Sequence, residues 1–164
     1  MSWAYPQALE WLYGFADLER GVGVRTDAPF EHGISKVRQL LRVLGDPQLA
    51  GTSFVHVAGS KGKGSVCVLV ATAAEAAGLR TGLYSQPHLH TFRERFRIDG
   101  EIIRPDEFAE LAARVRPAVE THEAERSGLG NLTTFEIATV MALLWFAERE
   151  VDLAVVEVGL GGRL

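Results

Sequence analysis

The stretch that most constrains this chain is residues 54–77. Phe54-Val55-His56-Val57-Ala58 is short, β-branched and mostly apolar, which reads as a buried strand. Gly59-Ser60-Lys61-Gly62-Lys63-Gly64 follows as a glycine-rich loop. Residues 65–77 are apolar and alanine-rich, hence helical, with Gly78 as the residue that ends the helix. A strand feeding a helix through such a loop is the opening of a parallel crossover. It commits the chain to an α/β architecture: a mostly parallel sheet with helices on both faces.

The other elements agree. Pro6, Leu9, Leu12 and Tyr13 predict a helix through about Tyr13. A loop rich in glycine and charge covers residues 19–33. Val37, Leu40, Leu41 and Leu44 predict a second helix, stopped by Gly45-Asp46-Pro47. Thr81-Gly82-Leu83-Tyr84 reads as a short strand. Residues 92–103 alternate charged and apolar residues around Asp99-Gly100, a type I′ hairpin signal. Pro105-Asp106-Glu107 opens a helix towards Thr121, its acids suiting the helix dipole. Residues 122–132 read as a polar loop. Thr133 and Glu136 form a capping-box pattern for a helix to about Arg149. Leu153-Ala154-Val155-Val156-Glu157-Val158 reads as a fully buried strand, left by a second glycine loop at residues 159–162. Ligands of such sheets bind beyond the C-terminal strand ends, which both glycine loops leave.

Composition narrows the function class. With 164 residues, 47% hydrophobic and 23% charged, the chain is of an ordinary globular kind. A formal net charge of −4 leaves no basic surplus for a nucleic acid. No apolar run is long enough to span a membrane, and the first residues lack a signal peptide's pattern. Cys67 stands alone, so no internal disulfide forms and the cytoplasm is the default. The chain stops at Gly159-Leu160-Gly161-Gly162-Arg163-Leu164, directly after an apolar strand, and this predicts a truncated domain.

The 59–65 loop carries the chemistry. Its glycines let several backbone N–H groups point at one anion, and the helix that follows adds its positive end. Lys63 reaches β- and γ-phosphates, and Ser65 at the helix start ligates Mg²⁺. The G-x-x-x-x-G-K-[ST] pattern is not met in full: Val57 stands where the first glycine belongs, and Gly64 separates Lys63 from Ser65. A plain glycine-rich β–α turn with solvent-facing lysines is the alternative.

Residues 56–65 closely resemble the ATP loop of the folylpolyglutamate synthase/dihydrofolate synthase family, within the Mur ligase superfamily. Further segments resemble the family in the same order: residues 83–89 its Y-[ST]-S-P-H-L loop, residues 92–100 its R-E-R-I-R-I-N-G segment, residues 132–136 its L-T-x-F-E, and residues 156–164 its E-V-G-L-G-G-R-L. Near the start, His32-Gly33-Ile34 with Val37 resembles L-G-L-x-x-V. The resemblance implies a ligase in which ATP phosphorylates a carboxylate of a folate or dihydropteroate and the amino group of glutamate displaces the phosphate. It implies ATP and Mg²⁺ as cofactors, small-molecule partners only, and a monomer at full length.

The resemblance also implies roles. Gly59, Ser60, Lys61, Gly62, Lys63, Gly64 and Ser65 hold the ATP phosphates, with Lys63 and Glu157 catalytic. Ser65, Gln86 and Glu157 form the metal set, although the family usually has serine where Gln86 stands. His32, Gly33, Ile34, Pro87, His88, Thr133, Thr134, Phe135 and Glu136 meet the substrate. Alternatives remain for several. Glu157 is otherwise a carboxylate bonded to loop N–H groups, Gly33 a turn, and Thr133 with Glu136 a helix cap. His88 and His90 lack a third ligand for zinc. Arg93-Glu94-Arg95 reads as a solvated or salt-bridged strand face, Cys67 as a buried structural thiol, and Trp3, Trp11 and Trp145 as packing. The chain as a whole reads as a truncated ATP-binding domain without the C-terminal glutamate-ligase domain, and inactive by itself. Another Mur-type ligase, a nucleotide-binding switch and an ATP-binding remnant are the competing readings.

Overall fold

The computed structural model describes residues 3–17, 21, 31–125 and 130–159, the side chains of Glu31 and His32 excepted. The elements run α1 (Tyr5–Tyr13), α2 (Glu31–Val43), β1 (Ser53–Val57), α3 (Lys63–Ala76), β2 (Thr81–Tyr84), β3 (Phe96–Ile98), β4 (Glu101–Ile102), α4 (Pro105–Glu125), α5 (Thr134–Glu148) and β5 (Leu153–Glu157). The described residues fall in two compact units: those up to 46 with those of 105–141, and 47–104 with 142–159.

The second unit holds one five-stranded sheet in the order β1-β5-β2-β3-β4. β5 is parallel to β1 on one side and to β2 on the other, while β2-β3 and β3-β4 pair antiparallel. The hairpin turn is made by Asp99 and Gly100, both at positive φ (49° and 75°), as a type I′ turn requires. α3 packs on β1, β5 and β2. Its Cys67 and Ala71 meet Leu83 and Val155 in a small core. Burial pushes the Cys67 thiol up to about 11, the charge of Glu157 adds to this, and Lys63 opposes it.

In the first unit, α1 buries Ala8 and Leu12, and α4 buries Phe108, Leu111, Val115 and Val119. Tyr5 meets Phe108 edge-on at 5.3 Å. Thr134 starts α5 and ties it to α1: its hydroxyl donates to the Leu12 carbonyl at 3.1 Å, adding a side-chain donor to the last turn of that helix.

Four expectations are corrected. β1, expected buried, is the sheet edge and largely exposed, with Phe54 at 40%; β-branched composition marks a strand but not its place in the sheet. α2 starts at Glu31, so Gly33, expected in a loop, is helical. A Cβ at Gly33 would stand 3.0 Å from Glu136 Oε1, a tight approach in which the carboxylate would have to give way. α4 runs to Glu125 instead of stopping near Thr121. His122, expected in a polar loop, is buried against Gln39 Oε1 at 3.0 Å. Residues 92–95, expected in a strand, form a 3-10 turn in which Arg95 is 5% exposed.

Candidate functional site

β1, β5 and β2 run parallel and end together, and their C-terminal ends assemble a site within the second unit. Val57 is in register with Glu157, so the loop leaving β1 starts beside the carboxylate that ends β5. Gly62, at φ 74°, turns this loop into α3. Only a residue without Cβ takes this left-handed conformation without strain. Gly62 also leaves the first turn of α3 without a side-chain cap, so N–H groups there face outward at the positive end of a 14-residue helix.

Lys63 starts that helix and folds back over the loop: its Cγ lies 3.8 Å from where a Cβ at Gly59 would stand. Ser60, Lys61 and Ser65 are exposed. Glu157 is 4% exposed. Its Oε2 lies 3.7 Å from a Cβ built on Gly64 and accepts the Gln86 backbone N–H at 3.0 Å. Among the described residues no cation pairs with it. The Gln86 amide nitrogen donates to the Val158 carbonyl at 3.4 Å. Gln86-Pro87 is a cis peptide, Pro87 is exposed and His88 half-buried. The loop after Pro87 is tied down by Glu94, which accepts the backbone N–H groups of Leu89, His90 and Thr91 at 2.8–2.9 Å. Those bonds hold its carboxyl down at about 2. Chemically, the assembly offers donors for an anion and, beside them, one buried carboxylate for a cation.

A second group of expected residues lies in the first unit. Thr133 and Glu136 cap α5 reciprocally: Thr133 N–H donates to Glu136 Oε2 at 2.8 Å, and Glu136 N–H to Thr133 Oγ1 at 3.2 Å. Glu136 Oε2 also meets Lys36 Nζ at 2.9 Å, and Lys36 donates to the Asn131 carbonyl at 2.7 Å. Gly33 adjoins Glu136, Ile34 is 40% exposed, Thr134 is buried and Phe135 half-buried. The His32 side chain and residues 160–164, which include Gly161 and Gly162, lie outside the described residues.

Two residues escaped the sequence reasoning. Lys36 carried no local signal, because its partners come from α5 and the segment before it. Arg95 was read with its charged neighbours as part of a solvated or salt-bridged strand face; the aromatic Phe92, three residues earlier, was the available hint, and the guanidinium carbon lies 4.6 Å from that ring's centre.

No family model matches the chain. It is 35% identical over 164 residues to the dihydrofolate synthase/folylpolyglutamate synthase of Bacillus subtilis, an alignment covering 99% of this chain and 35% of that protein. Among solved structures it superposes on the Mycobacterium tuberculosis folylpolyglutamate synthase complexed with ADP, with a TM-score of 0.83 and 32% identity over 97% of this chain and 33% of that one. A folylpolyglutamate synthase complex with AMPPCP and folate gives a TM-score of 0.82 and 34% identity over 98% of this chain and 36% of that one. The chain thus spans about a third of the length of these relatives. Over that shared third, sequence and fold agree, and the chain belongs to the folylpolyglutamate synthase/dihydrofolate synthase family of Mur-like ligases.

Proposed function

We propose that this chain forms the nucleotide-binding part of an ATP-dependent ligase that joins L-glutamate to a folate or a dihydropteroate through an acyl phosphate. The observation that carries the reading is Glu157: a buried carboxylate at the end of β5, between β1 and β2 and beside the uncapped start of α3. The complexes of its relatives with AMPPCP and folate, and with ADP, support the ligand classes. In this reading the N–H groups of residues 59–65 cradle the ATP phosphates, and Lys63 neutralises the β- and γ-phosphates.

The residues present fit Mg²⁺. A carboxylate this buried has one backbone N–H and no cation among the described residues, and an uncompensated buried charge is costly. Glu157 and the Ser65 hydroxyl would hold the ion, with Gln86 beside them. When bound, Mg²⁺ neutralises phosphate charge and polarises the transferred phosphoryl group. Gly33, Ile34, Thr133, Thr134, Phe135 and Glu136, with Pro87 and His88, are the residues assigned to the pterin-bearing substrate, and His32 joins them by sequence. The chain is part of an ATP-binding domain, and the full-length protein acts as a cytoplasmic monomer on small molecules. Among the described residues no helix is long and apolar enough to cross a membrane.

Calorimetric titration with AMPPCP, with and without Mg²⁺, tests the reading. The chain should bind the analogue, Mg²⁺ should tighten it, and Lys63→Ala should weaken it at least about tenfold, the scale of one lost charge-assisted contact. No binding, or equal binding by Lys63→Ala, would sink it. Phosphate release that requires both folate and glutamate, assayed in a protein carrying this chain, separates a ligase from a nucleotide switch.

A further inference from the structure

Arg95 closes the 3-10 turn Phe92–Arg95 and is 5% exposed. A guanidinium keeps its charge in a protein and offers only donors, so a buried one needs acceptors and a polarisable surface. It stacks over the Phe92 ring at 4.6 Å. Its Nε donates to His88 Nδ1 at 3.0 Å, and one terminal nitrogen donates to Gln86 Oε1 at 3.4 Å. Both acceptors sit on the loop leaving β2. The backbone adds a further tie, since Ser85 N–H donates to the Arg95 carbonyl at 3.2 Å.

Two consequences follow from these donors. The Gln86 amide is held at both ends, its oxygen on the guanidinium and its nitrogen on the Val158 carbonyl. The same residue's backbone N–H holds Glu157 Oε2, so a continuous chain of bonds runs from Arg95 through Gln86 to the carboxylate. His88 Nδ1 faces a group that only donates, so this nitrogen is the acceptor and the ring proton belongs on Nε2.

We propose that Arg95 is a positioning residue of the site: it fixes the Gln86 amide and the His88 tautomer, and through Gln86 it aims the Glu157 carboxylate at its cation. Gln86 then serves the metal by orienting Glu157 with its N–H, while its side-chain oxygen stays on Arg95. The proposal rests on reading Glu157 as the Mg²⁺ ligand. A lysine at position 95 keeps the charge but loses the planar fork that grips two acceptors at once.

The test uses the 164-residue chain, Arg95→Lys and Arg95→Gln, so that one variant keeps the buried charge if the other misfolds. Three quantities are measured: the ¹⁵N signature of the His88 ring, the Mn²⁺ affinity in the presence of AMPPCP, and the AMPPCP affinity without metal. In the parent chain His88 should show an unprotonated Nδ1. Both variants should lose that single tautomer and about tenfold or more in Mn²⁺ affinity, the scale of a lost partner behind a metal ligand. Metal-free AMPPCP affinity should stay unchanged. Unchanged Mn²⁺ affinity, an unchanged His88 signature, or equal losses in both affinities would overturn the role of Arg95. A parent chain that binds AMPPCP but no Mn²⁺ would overturn the metal reading of Glu157 and this inference with it, an outcome distinguishable from the others because it appears before any substitution.

Discussion

Glu136 and Glu157 are both buried carboxylates, at 8% and 4% exposure, yet their surroundings differ in kind. Glu136 is closed within the first unit: a lysine at 2.9 Å and the Thr133 N–H at 2.8 Å share its Oε2. Glu157, in the second unit, has one backbone N–H and no cation among the described residues. A buried anion with a matched cation is already neutralised within the fold. A buried anion without one, at the end of an interior strand and beside an uncapped helix start, is set for a charge that arrives with a ligand. Composition does not separate the two glutamates; their neighbours do.

The comparison breaks first at Lys36. Lys36→Met keeps the length of the stem but leaves Glu136 buried without its cation, and breaking such a pair costs about 3–5 kcal/mol. Urea unfolding should show that loss, while metal-free AMPPCP affinity holds. A loss below about 1 kcal/mol would mean that the pair is solvated and the contrast false. Glu157→Gln should behave in the opposite way. It removes an uncompensated charge, so unfolding stability should hold or rise, while the Mg²⁺-dependent gain in AMPPCP affinity should fall by about tenfold or more. Destabilisation without loss of the Mg²⁺ effect would make Glu157 another closed carboxylate. Gly62→Ala sharpens the same side. A Cβ at φ 74° costs about 1–2 kcal/mol, and AMPPCP should bind more weakly with or without Mg²⁺. An unchanged affinity would show that this turn does not shape the anion site.

How far the sequence carried this contrast depends on where the partners lie. The loop from Gly59 to Ser65 was legible because glycine, lysine and hydroxyl sit within seven neighbouring positions and act on their own backbone. The Thr133–Glu136 cap was legible for the same reason. β5 could be read as a buried strand from its unbroken apolar run, and this placed Glu157 at a strand end. The edge position of β1 was not legible, because strand order is set by pairing between distant segments. Nor was the burial of Arg95 among charged neighbours, the Lys36–Glu136 pair, or the extra turn of α4 that buries His122. Each depends on a partner from another element, which local pattern does not encode.

The smallest effect concerns Glu94, a third carboxylate that separates partnership from burial. It is not a core residue, yet three consecutive backbone N–H groups hold its carboxyl near 2. The folded state therefore binds fewer protons than the unfolded one between that value and the ordinary carboxylate value near 4.3. A depressed carboxylate stabilises fully above its unfolded value, and this contribution is lost as pH falls through that window towards about 2. Thermal melts of the parent chain should lose stability across that range. Glu94→Gln, which cannot take up that proton, should show a shallower slope there and little further change between pH 5 and pH 8. An identical slope in both proteins would mean that the three N–H groups do not grip the carboxylate in solution.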